Sequence, residues 1–104
     1  MPSYQYVAYF FGGAFSVNAI PHFVNGVSGR RFPTPFAKPP GKGLSSPLVN
    51  VLWGAFNAVV GYSLVFHVGF FAMHDLQSVA IVALGAFAMG VMLANAFASV
   101  FAGK

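Results

Sequence analysis

Three long stretches of this chain, 4–25, 48–73 and 78–102, contain no Lys, Arg, Asp or Glu. Each meets the roughly 20 mainly apolar residues that a helix needs to cross a hydrocarbon core. None alternates polar and apolar residues with the period of two that a membrane barrel strand requires. The expected fold is therefore an all-α membrane protein with three transmembrane helices, a single integral membrane domain over 1–104. Charged residues make up 6% of the sequence, against about 25% in soluble domains. With Asp75 as its sole acidic side chain, the chain cannot build a soluble surface.

Between the first two stretches, in the loop 26–47, lies Arg30-Arg31-Phe32-Pro33-Thr34-Pro35-Phe36-Ala37-Lys38-Pro39-Pro40-Gly41-Lys42-Gly43-Leu44-Ser45-Ser46-Pro47. It holds four of the five basic residues and five of the seven prolines. Proline removes a backbone donor and restricts the residue before it, so neither a helix nor a central strand fits. Lys and Arg mark the cytoplasmic side of a membrane. Arg30, Arg31, Lys38 and Lys42 put this loop inside, and Lys104 puts the C-terminus there too, giving N-out, C-in. Tyr4, Tyr6, Tyr9 and Trp53 fit interfacial anchoring. Met1-Pro2-Ser3-Tyr4-Gln5-Tyr6 lacks a basic leader and a cleavage site, so the first stretch is expected to stay as a span.

Local signals set some element ends. Ser46 suits an N-cap and Pro47 the first helical position. Pro21 is expected to kink or end the first helix. The short link His74-Asp75-Leu76-Gln77 predicts a tight antiparallel hairpin between helices two and three.

Polar residues inside the spans carry the site expectations. At about 1.5 Å per residue, Asn18 and Asn95 lie roughly 10 Å from the inner ends of their helices and Asn57 about 15 Å. Asn50, Gly54, Asn57 and Gly61 share one stripe of helix two, as Asn18, His22 and Asn25 do on helix one. One reading is a packing seam of amides and glycines. The other is a polar pocket formed by Asn18, His22, Asn50, Asn57 and Asn95 and floored by the basic loop, since intramembrane polar groups mark functional sites. Ala86, Gly90, Ala94 and Ala98 form a close-packing stripe on helix three, with Asn95 pointing elsewhere toward a second interface.

The loop leading into helix two resembles an anion cradle for a phospholipid phosphate, built from Arg30, Arg31, Lys38, Lys42, Ser45 and Ser46. Its spacing is not that of a Walker motif. His67 follows Ser63 by one turn and leaves room for a flat macrocycle, so it is a candidate cofactor ligand. His22 and His67 stand roughly 20 Å or more apart at helical rise, so they cannot share a haem or metal. No metal site is expected, and with no cysteine there is no thiol chemistry. Neither paired carboxylates nor a Ser-His-acid set exists, so no catalytic residues are assigned and an enzyme is not expected. The basic residues sit between apolar spans, which favours anionic phospholipids over nucleic acid.

Asn18-Ala19-Ile20-Pro21-His22, Gly29-Arg30-Arg31-Phe32-Pro33-Thr34-Pro35-Phe36-Ala37 and Ser45-Ser46-Pro47 together resemble a family of small bacterial three-span integral membrane proteins. The resemblance covers about the first sixty residues and implies no activity. In size and span count the chain is also similar to the protein W family, accessory subunits of purple-bacterial reaction-centre light-harvesting 1 core complexes. That similarity implies a place beside a gap in the antenna ring, with quinone, bacteriochlorophyll or phospholipid as neighbours and quinone exchange as the process served. The leading expectation is a non-catalytic accessory subunit of a larger bioenergetic complex in a bacterial inner or intracytoplasmic membrane, partnered by integral membrane subunits. A lipid- or quinone-headgroup binding or transport module and a pigment or haem protein are the alternatives.

Overall fold

A computed structural model describes residues 2–72 and 75–102. Helix α1 spans Ser3–Val27. A two-residue ladder follows, β1 (Phe32–Pro33) paired antiparallel with β2 (Leu44–Ser45). Helix α2 runs Pro47–Tyr62 and continues as a π-helical segment, Ser63–Val68. Helix α3 spans Leu76–Phe101. The segments Ser3–Val27, Pro47–Val68 and Leu76–Phe101 are long and apolar enough to cross a membrane. The expected positions Lys104, Met73 and His74 lie outside the described residues.

Helix α1 is the central element, and two adjacent glycines explain why. Successive residues on a helix point about 100° apart. A Cβ at Gly12 would lie 3.3 Å from Gly61 O of α2, whereas one at Gly13 would lie 2.9 Å from Ala86 N of α3. Neighbouring backbones therefore approach α1 on two separate faces, as small residues permit in membrane helices. Further along, Gly54 of α2 fits against the backbone of Phe23, and Gly85 of α3 against that of Phe10. The pairings Gly12–Gly61 and Phe23–Gly54 run antiparallel; Phe10–Gly85 and Val17–Gly90 run parallel.

This arrangement corrects the expected tight hairpin. Helices α2 and α3 pack on different faces of α1 and share little contact with one another. The second span leaves helical geometry at Val68, and α3 starts only at Leu76, so the connection is longer than the sequence suggested. Tyr9 accounts for part of the early stop. Its buried hydroxyl donates to Gly69 O, which makes it a packing residue rather than an interfacial anchor.

Pro21 also departs from expectation, because α1 passes through it to Val27. The turn beyond is held by Asn25 Nδ2, which donates to Pro21 O at 2.7 Å, and by packing of Gly26 against Pro47 and Val51. The helix closes with a Schellman motif: Arg30 N donates to Asn25 O at 2.9 Å and Gly29 N to Gly26 O at 3.0 Å. Gly29 takes φ +75°, the left-handed turn this closure needs. Ser46 caps α2 by accepting from Val49 N at 3.2 Å, with Pro47 just inside. Asp75 caps α3 through Gln77 N and also accepts from the buried Ser78 hydroxyl at 2.6 Å.

Candidate functional site: a polar junction under the basic loop

Asn50 is fully buried and joins three elements. Its Nδ2 donates to Phe32 O of β1 at 2.9 Å, Ser46 O at 3.1 Å and Ser45 O of β2 at 3.3 Å. Three carbonyls around the nitrogen fix the carboxamide's orientation, because the opposite face would set oxygen against oxygen. Its Oδ1 then faces His22 Nδ1 at 2.9 Å. An amide oxygen only accepts, so the neutral imidazole carries its proton on Nδ1 and keeps a lone pair on Nε2. One turn deeper, Asn18 Nδ2 donates to Asn57 Oδ1 at 3.0 Å, and Asn57 Nδ2 donates to Trp53 O at 2.7 Å.

Aromatic rings close this junction. The His22 ring meets Phe32, Phe97 and Trp53 edge-on, with centroids 5.4, 6.1 and 6.4 Å away. Phe32 in turn packs on Phe97 at 4.5 Å and stacks on Phe101 at 5.6 Å. A loop residue thus ties α1 to the end of α3. The rest of the loop is equally ordered: Thr34 Oγ1 pairs with Ser45 Oγ at 2.6 Å, and Thr34 O accepts from Ala37 N and Gly41 N.

The structure brings Asn18, His22, Asn50 and Asn57 together and leaves Asn95 out. Asn95 is exposed on α3, with no partner among the described residues. Of the packing stripe on helix three, Ala86 and Gly90 face α1, whereas Ala94 and Ala98 are exposed. Three of the expected cradle residues already have hydrogen-bond partners. Ser46 spends its hydroxyl on the cap and Ser45 on Thr34, while Arg30 Nε donates to Asn25 Oδ1 at 2.9 Å. Arg31, Lys38 and Lys42 are exposed. His67 is exposed on the π-helical segment, with the Tyr62 ring 5.5 Å away.

Sequence reasoning passed over Phe32, Thr34 and Phe97, which give no local signal because their partners are remote. It also treated Trp53 as an anchor, although Trp53 Nε1 is buried without a partner among the described residues. A hollow of about 200 Å³ lies beside it, bordered by Asn18, His22, Thr34, Gly41, Trp53 and Phe97.

No protein-family model matches this chain, nor does any curated protein or solved structure.

Proposed function

We propose that this chain is a non-catalytic accessory subunit that docks on a larger integral membrane assembly through α3. The observation that carries this reading is the bareness of that helix. The apolar window of α3 is only 6% buried within the chain, against 39% for α1. A bare apolar face alone suits lipid, but this one carries the exposed amide of Asn95 among Ala94, Ala98 and Ser99. A carboxamide facing acyl chains has no hydrogen-bonding partner, whereas a neighbouring helix can supply one and small residues let it come close. The amides of the junction, by contrast, are occupied with one another and with the loop, which favours a structural role for them.

In this reading the basic loop faces the cytoplasm, and the chain sits N-out, C-in in a bacterial inner membrane. A bioenergetic complex is the proposed setting, a photosynthetic core being its most specific form. The test is extraction in mild detergent followed by native electrophoresis and mass spectrometry of the co-migrating chains. The protein should run within a larger assembly, and Asn95→Leu should weaken that association by roughly threefold to twentyfold. Migration of the wild-type chain alone sinks the proposal.

A further inference from the structure

The His22 ring is oriented through one nitrogen and keeps the other free. Nδ1 is committed to Asn50, so Nε2 holds a lone pair, and no described residue donates to it. That lone pair is not sealed off. Among the buried and half-buried described residues, Trp53 Nε1 is the only side-chain nitrogen or oxygen that is both unpartnered and cut off from the surface. His22 is 3% exposed, and it borders the hollow of about 200 Å³. Nε2 therefore opens into that hollow.

Asn18, one turn earlier on α1, borders the same hollow. Asn57 gives its Nδ2 to Trp53 O and so turns Oδ1 to Asn18, which answers with its own Nδ2. Asn18 Oδ1 is then without a partner among the described residues, and it too is not sealed. Other polar groups on the rim are spent. Thr34 Oγ1 pairs with Ser45 Oγ and accepts from Phe36 N, and Gly41 N donates to Thr34 O. The two unpartnered atoms are both acceptors, so a ligand that fits them must donate.

The rest of the lining sets charge and shape. No charged side chain borders the hollow, and the loop above it carries Arg30, Arg31, Lys38 and Lys42. An ammonium would meet repulsion there and no counter-charge, whereas a neutral hydroxyl meets neither difficulty. Trp53, Phe97, Pro33 and Pro35 supply apolar, ring-shaped walls, and apolar walls with a few placed polar groups are the usual make-up of a small-molecule site. A cavity of roughly 150 Å³ holds benzene, so one six-membered ring with its hydroxyl fits.

We infer that this hollow binds a neutral phenolic ring whose O–H donates to His22 Nε2. Asn18 Oδ1 takes a second hydroxyl where the ring carries one. All of the lining comes from one chain, so the site does not rest on assembly through α3.

The test uses the full chain in nanodiscs, with para-cresol and its methyl ether as probes. The two share a ring, and only the cresol has a donor. Once each probe's partition into protein-free nanodiscs is subtracted, the cresol should bind about twofold to tenfold better, the worth of one hydrogen bond. His22→Asn should abolish that preference, because its amide can still donate to Asn50 from the Nδ1 position while nothing replaces Nε2. Nitrogen NMR of the wild-type chain needs no variant: the unprotonated ring nitrogen of His22 should shift with the cresol and stay in place with the ether. Equal binding of the two probes, a preference that survives His22→Asn, or an Nε2 resonance that the cresol leaves unmoved overturns the inference.

Discussion

Asn50 Oδ1 lies 2.9 Å from His22 Nδ1, and the same carboxamide donates to the carbonyls of Phe32, Ser45 and Ser46. One side chain thereby fastens α1, the loop ladder and the first turn of α2. Asn50→Leu removes the side-chain donor from the Phe32 and Ser45 carbonyls and the acceptor from the His22 ring in a buried place, while Ser46 O keeps its bond from the backbone N–H of residue 50. The expected loss is about 2–4 kcal/mol, read from unfolding in mixed micelles as the denaturing detergent fraction rises. Protection of the Phe32 and Ser45 segments from proteolysis should fall at the same time.

Gly12→Leu and Gly13→Leu change neighbouring residues by the same volume, yet they should open different interfaces. The first forces α2 away at Gly61 and Val65, the second α3 at Val82 and Ala86. The native chain has no cysteine, so introduced pairs report cleanly. A cross-link between Tyr6→Cys and Gln77→Cys, whose native side chains hydrogen-bond at 3.3 Å, should be lost with Gly13→Leu. It should persist with Gly12→Leu.

Asp75 spends its carboxylate on the first turn of α3. Asp75→Ala should cost about 1 kcal/mol, the usual worth of an N-cap, and Asp75→Asn should restore most of it. Thermal unfolding followed by circular dichroism separates the two. Equal losses would instead assign the effect to charge.

Trp53→Phe should leave the protein as stable as before or make it more stable by about 1 kcal/mol in hydroxyl-free lipid, because it removes a buried donor that has no acceptor among the described residues. A large loss in that lipid would mean that the indole packs more than it penalises. Unfolding of the two chains in phosphatidylmethanol gives the comparison.

Features that depend on near neighbours in sequence were legible in advance. The spans, the Ser46 cap with Pro47 inside it, and the amide stripe of α2 all follow from composition or spacing. The Asp75 cap was legible too, from an aspartate just before an apolar run with a serine three residues on, and was passed over. Helix order was harder. A short connection suggests that α2 and α3 are neighbours, but packing is decided by faces, and Gly12-Gly13 gives α1 two of them. Asn50 was recognised as a buried amide, while its hold on Phe32 depends on a loop folding back, which no periodicity encodes. Pro21 misled because a missing donor was weighed without the Schellman closure and the α2 contact that steady the following turn.

Seating α3 on the far face of α1 also bears on the order of assembly. Synthesis proceeds from the N-terminus, so α1, the loop and α2 emerge before α3. Their mutual hydrogen bonds, including those of Asn50, need nothing from the last helix. Phe97 and Phe101 are then the parts that arrive late, closing over His22 and Phe32 from the side. A chain halted before α3 would hold the amides paired and leave the aromatic junction open.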